Sequence, residues 1–422
     1  MSFRNVIDVE SGGVGRRAVT TSAVVATAAL LTGAGGGGAA QARPVNPGGG
    51  MALRLPAPTG QHRIGVTTLH LVDRTRRDPW DAGIPVREVM VTVWYPARGG
   101  HGRPVAHQMT ARAARSFGET APLMRPGLPA QGVDWAATPT HAHSGAPAQR
   151  TPRPVLLYSP GGGDPRTLGT GLAEDLASHG FVVVAIDHPG DASEVVFPRP
   201  AAYRRKLLRR SVFRGDPRMH PGQFHTAIAS RIADTRFVLD RLEALAAGHN
   251  PDAEHRPLPE GLPGLLDLER VGVYGHSAGG TTAAEALYED RRLAAAVNLE
   301  GFLDEAPSAP DRPGVLLPVA QHGTDRPLLL LHTDGFTERA ALERSWSSVL
   351  ARSHGCATRA RLDDAAHWVF TDYATLVPQL QAAGLMTAEA RNRLIGTVDP
   401  VCSVPAVRGR VRAFFTRQLP PR

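Results

Sequence analysis

Apolar positions along this chain first alternate and then fall into helical spacing, and the changes of rhythm locate most elements. From Gly65 the chain alternates, with Val66, Leu69 and Leu71 apolar, and Val89 to Tyr95 reads Val-Met-Val-Thr-Val-Trp-Tyr. β-Branched and aromatic residues in such runs fit a pleated surface, so an antiparallel edge is expected here. Residues about 96–153 are rich in Ala, Pro, Gly and His and predict loops with a short helix. After that the rhythm becomes strand, helix, strand. Val155–Tyr158 predicts a strand, Leu168–His179 a helix that Gly180 can end, and Phe181–Ile186 the next strand. Ala227–Ala247 predicts a long helix, because Ile228, Ile232, Thr235, Leu239 and Leu242 share one face and Gly248 follows.

The same alternation continues to the end of the chain. Val271–Tyr274, Ala294–Leu299, Pro327–His332 and Ala357–Leu362 predict strands. Ala278–Leu287, about Glu338–Arg352 and the basic run Arg408–Leu419 predict helices. Strands alternating with helices imply a mainly parallel sheet covered on both faces, an α/β fold. There is no internal repeat, and residues 61–422 read as one domain.

Composition narrows the setting. The 422 residues are 42% hydrophobic and 20% charged, ordinary for a globular chain. A net charge of +8 favours anionic partners. Lys206 is the only lysine, however, so the arginine excess reads as base composition. No nucleic-acid motif is present, and no nucleic-acid partner is expected.

The first 42 residues read as a signal peptide. Arg16-Arg17 precede an apolar stretch from Ala23 to Leu31, and Ala40-Gln41-Ala42 offers an A-x-A cleavage site. The paired arginines resemble a twin-arginine export signal, although Val19 stands where Phe is common. The apolar stretch is too short to span a membrane. Residues 43–60 are expected as a flexible leader, and the mature protein as secreted. Export permits disulfides, and the two cysteines, Cys356 and Cys402, are expected to form one. With no further ligands around them they do not make a metal site.

Candidate chemistry begins at Gly275-His276-Ser277-Ala278-Gly279, between a predicted strand and a predicted helix. A turn that sharp needs small flanking residues, and G-x-S-x-G in this setting is a nucleophile elbow. A nucleophilic serine needs a base, and the base needs an acid to orient it. Two acids follow strands downstream, Glu300 and Asp334, and His367 lies in a loop after the last strand. The chain order serine, acid, histidine is that of α/β-hydrolases. Gly161-Gly162-Gly163 follows another strand and lets backbone approach the site, so the Gly162 and Ala278 N–H groups are expected to hold an oxyanion.

These motifs resemble a known family. Tyr158-Ser-Pro-Gly-Gly-Gly, the block Asp175-Leu-Ala-Ser-His-Gly-Phe-Val-Val-Val-Ala-Ile-Asp-His and Gly275-His-Ser-Ala-Gly-Gly-Thr are similar to the plasma-type platelet-activating-factor acetylhydrolases and related secreted bacterial lipases. The resemblance runs from about Val89 to Val377. It implies an α/β-hydrolase fold, hydrolysis of short acyl esters of lipid type, and a triad acid after the strand that follows the elbow helix. That position is Glu300, where the family commonly has Asp. The general hydrolase pattern points instead to Asp334, and both stay open.

The remaining histidines read as structural. His188 follows a strand end, His276 packs behind the elbow, and His141 and His143 lie in a polar loop. An insertion at about 189–226 is expected to cap the site. Its run Tyr203–Arg214 reads as a solvated helix face or as a surface resting on anionic lipid. The sequence thus predicts a secreted serine ester hydrolase that needs no cofactor or metal. A lipase or cutinase-like polyester hydrolase is the alternative, and a hydrolase fold reused as a binding protein is a further one.

Overall fold

The apolar runs become the strands of one ten-stranded sheet and a two-stranded ribbon. In chain order they are β1 (Arg63–Asp73), β2 (Arg87–Ala97), β3 (Val105–His107), β4 (Pro139–Ser144), β5 (Arg153–Ser159) and β6 (Val182–Asp187). There follow β7 (Glu194–Val196), β8 (Leu208–Arg210), β9 (Leu266–His276), β10 (Leu293–Leu299), β11 (Leu328–Thr333) and β12 (Ala357–Leu362). This computed structural model describes residues 50–307 and 312–420. The expected signal peptide, 1–42, and the leader up to residue 49 lie outside the described residues.

Sheet order is β12-β11-β10-β9-β5-β6-β2-β1-β4-β3. The strands from β5 through β12 in this sheet run parallel, and β2 pairs antiparallel with both β1 and β6. Alternate residues of β5 divide between two cores. Leu156 and Tyr158 face one core with Leu176, Leu376 and Phe415, while Val155 and Leu157 face the other with Val238, Leu242, Ala283 and Trp346. Both faces are covered by helices, which is why these strands read as unbroken apolar runs rather than strict alternation. The fold is an α/β-hydrolase fold, as expected.

Four expectations need correction. Residues 50–60 are not a free leader. Leu53 is fully buried, Arg54 N–H donates to Gln379 Oε1, and the Arg408 guanidinium donates to the carbonyls of Pro56 and Ala57. The supposed loops of 96–153 contain β3 and β4, too short and polar to show a strand rhythm. The run 203–214 is not a helix. It contains β8, paired antiparallel with β7, and two of its arginines are turned inward, Arg204 onto Glu88 and Arg209 onto Asp78. Lys206 is exposed in the same segment.

The expected disulfide is absent. Cys356 precedes edge strand β12, while Cys402 sits exposed in the first turn of the C-terminal helix Pro400–Gln418, and both are free thiols. The two stand on separate elements, and a disulfide requires close, facing Cβ atoms. Among the described residues no helix is long and apolar enough to cross a membrane.

Candidate active site

The loops that follow the parallel strands β5, β9, β10, β11 and β12 meet at one cleft. β9 ends at His276, and Ser277 turns the chain into the helix Ala278–Glu289. Ser277 sits at φ 54°, ψ −122°, a conformation that a non-glycine residue holds only under constraint. The constraint is visible in the backbone. Ser277 N–H donates to Leu299 O at 2.9 Å, and its own carbonyl accepts from Gly280 and Thr281 N–H as the helix begins. The two flanking glycines are obligatory. A Cβ on Gly275 would lie 2.1 Å from Gly279 O, and one on Gly279 would lie 1.9 Å from Ser159 O. The elbow exists because strand, helix and the β5 terminus touch backbone to backbone.

Glu300 follows β10 and is fully buried. One carboxylate oxygen accepts from Thr333 N–H and Oγ1, and the other lies 2.8 Å from His367 Nδ1. Its φ of 61° is held by a short side-chain clamp. Asn298 bonds both the N–H and the carbonyl of Gly301, and Trp346 Nε1 donates to the same carbonyl.

Asp334, the other sequence candidate, is exposed and does not reach the histidine ring. It accepts from the N–H groups of Asp364 and Ala365, both at 3.1 Å, and so fixes the loop that carries His367. The geometry brings Glu300, not Asp334, to the imidazole.

His367 is packed on three sides. Its ring stacks on Phe336 at 4.8 Å, meets Trp368 edge-on and lies 4.5 Å from the His276 ring. His276 Nε2 stands 2.9 Å from the His367 carbonyl, which gives it the supporting position expected behind the elbow. Burial, reinforced by the Arg125 guanidinium, holds the His367 imidazole well below its ordinary pKa. The ring is therefore neutral at neutral pH. Burial pushes the Glu300 carboxyl above its ordinary value, against the Thr333 bonds that favour the anion. With Nδ1–H directed at Glu300, Nε2 is the basic atom of the ring.

Ser277, Ala278, Gly162 and His367 all line the same cleft, of about 750 Å³. A Cβ on Gly162 would stand 3.6 Å from that of Ala278, so the two expected oxyanion donors are neighbours. Phe213, Phe224, Phe302, Phe336 and Trp368 give the cleft aromatic walls. Residues 210–218, from the segment between β6 and the helix Pro221–Ala246, form its cover.

Two arginines of the lining were not singled out from the sequence. Arg218 lies over the rings of Phe302 and Phe224, at 3.8 and 4.9 Å, and Arg125 lies over Trp368 at 4.5 Å while pairing with Asp164. Nothing in an arginine-rich sequence marks these two. Among the described residues no group of three or more His, Cys, Asp or Glu side chains is arranged to hold a metal ion. His141 is paired instead with Glu174.

Comparison with known proteins follows the geometry. A family model described as platelet-activating factor acetylhydrolase, isoform II, matches residues 136–391. A probable 1-alkyl-2-acetylglycerophosphocholine esterase of Arthroderma benhamiae is 24% identical over 63% of this chain and 60% of its own length. The platelet-activating factor acetylhydrolase of Bos taurus is 27% identical over 36% of this chain and 35% of its own. The match thus spans under two thirds of either curated relative. A solved ferulic acid esterase from Streptomyces cinnamoneus has a TM-score of 0.66 and is 32% identical, covering 88% of this chain and 94% of that one.

Proposed function

This chain belongs to the platelet-activating factor acetylhydrolase isoform II family, and from that premise we propose that it hydrolyses carboxylic esters through an acyl-enzyme on Ser277. Ser277 Oγ attacks the ester carbonyl while His367 Nε2 takes its proton. Glu300 keeps the Nδ1–H tautomer in place and balances the imidazolium that forms. The N–H groups of Gly162 and Ala278 hold the negative oxygen of the tetrahedral intermediate. His367 then protonates the leaving alcohol, and water repeats the sequence to release the acid. No metal or organic cofactor enters this scheme. The observation that carries the reading is the 2.8 Å pairing of His367 with Glu300 in the cleft that Ser277 lines.

The acyl group is read as short, as the names of the curated relatives favour. The aromatic walls of the cleft and the ferulic acid esterase neighbour favour a second reading, an aromatic acyl group. We further propose that residues 1–42 direct export and that the protein works outside the cytoplasm, with the basic surface around Arg205 and Lys206 meeting anionic lipid. Assay of residues 43–422 on p-nitrophenyl esters from acetate to palmitate, and on a hydroxycinnamate ester, separates these readings. Ser277→Ala is expected to lower turnover by about 10⁴-fold or more. Folded wild-type protein inactive on every ester, or an active Ser277→Ala, sinks the serine-hydrolase reading.

A further inference from the structure

A sealed set of charges lies directly behind the loop Pro160–Gly163. The helix Pro221–Ala246 turns Arg231 and Asp234, three residues apart, into the protein rather than to solvent, and both are 0% exposed. Arg231 Nε and Nη2 grip Asp191 at 2.6 and 2.7 Å. Its Nη1 donates to Pro160 O at 2.6 Å and to Ser159 Oγ at 3.2 Å, and Nη2 donates to Gly161 O at 2.9 Å. Asp191 in turn accepts from Gly163 N–H at 3.0 Å. One ion pair therefore holds the loop at Pro160, Gly161 and Gly163, on either side of Gly162.

A second arm steadies the first. Ser159 Oγ lies 2.9 Å from His188 Nε2, and His188 Nδ1 lies 3.0 Å from Asp234 Oδ2. Arg87 closes the arm on both oxygens of Asp234. Serine, histidine and aspartate stand in the order of a catalytic relay, yet the three are 1%, 0% and 0% exposed, so no substrate reaches them. Burial, with the charge of Arg231, lowers the His188 pKa to about 4, so the ring is neutral. The Ser159 hydroxyl then donates to His188 and presents a lone pair to Arg231.

The consequence follows from peptide geometry. In a trans peptide the carbonyl and the next N–H point in opposite directions. Gly161 O is drawn back onto Arg231, so Gly162 N–H is aimed away from the guanidinium, on the side where Gly162 lines the cleft. A buried guanidinium is costly to desolvate, and apolar packing would serve stability as well. What apolar packing cannot do is fix the direction of a peptide plane.

We propose that Arg231 is a positioning residue, which orients the Gly161–Gly162 peptide so that Gly162 N–H is ready for the developing oxyanion. The proposal rests on the reading of Gly162 given above. Its test compares an ester with its thionoester, because a site built for an oxyanion stabilises the larger, softer sulfur anion poorly. Arg231→Lys keeps a positive charge opposite Asp191 but loses the planar fork. Expected for this variant are a KM close to that of the wild type and a kcat per titratable serine lower by about ten- to hundredfold. The ester-to-thionoester rate ratio should fall in step, and Ser159→Ala should show a smaller fall of the same kind. Unchanged kcat and ratio in folded Arg231→Lys overturn the proposal, and Ser159→Ala with an unchanged ratio does so if the lysine variant fails to fold. A wild-type ratio no greater than that of hydroxide ion overturns instead the oxyanion role of Gly162.

Discussion

Glu300 carries a carboxylate at a backbone position that glycine would occupy with less strain, and Asn298 and Trp346 hold it there. Strain of this kind costs about 1–3 kcal/mol and persists where surrounding contacts over-determine it. The return on that strain is one carboxylate oxygen placed against His367 Nδ1. Glu300→Gln keeps the shape but removes the charge and can reverse the tautomer, so kcat should fall by about 10³–10⁴-fold. Asp334→Asn should leave kcat within about fivefold and lower stability by about 0.5–1.5 kcal/mol, because only the loop bonds to residues 364 and 365 weaken. Steady-state kinetics and urea unfolding of the two variants separate the roles, and a stronger kinetic effect at Asp334 would reverse the assignment. The sequence left this choice open for a physical reason. Both acids follow a strand, and only the fold reveals that Asp334 is spent on backbone N–H groups.

At the level of elements, the elbow is the least forgiving join. Gly279 packs against the Ser159 carbonyl with no room for a methyl group, whereas Gly222, in the first turn of the long helix, faces open space. Gly279→Ala is expected to abolish activity and to destabilise the protein by several kcal/mol, about the cost of forcing overpacked backbone apart. Gly222→Ala should leave activity unchanged and stability equal or up to about 1 kcal/mol higher. Thermal unfolding and an esterase assay read both; a soluble, active Gly279→Ala would contradict the backbone contact.

The eight strands expected from apolar runs are all present, because runs such as Val182–Ile186 admit few other structures. The ribbon of β7 and β8 was not legible. Its strands are three residues each, and they are held by Arg204 and Arg209 reaching distant acids rather than by apolar rhythm. Arg231 and Asp234 escaped for the same reason. A charge on the apolar face of a helix reads as an interruption until its partner is seen.

Over the whole molecule, the last helix fastens the first described residues. Arg408 is buried beneath Pro56 and Ala57 and also bonds Gly171 O, so the basic C-terminal helix joins residues 56–57 to the helix Thr170–Ser178. This closure is non-covalent. Thiol titration of the native protein should find two free cysteines, with exposed Cys402 reacting before Cys356. Reductant should leave the unfolding midpoint unchanged. A midpoint that drops on reduction would instead reveal a disulfide.

Lys206, the only lysine of the sequence, lies exposed between β7 and β8, a few residues before the segment that covers the cleft. Amine-directed coupling can therefore join the protein to a bead or a dye at this one side chain, apart from the chain's terminal amine. A dye attached there lies on the surface a few residues from the cover of the cleft, apart from the cleft lining itself. A bead attached there anchors the protein through the loop between β7 and β8, so that the orientation of an immobilised preparation is set by a single residue.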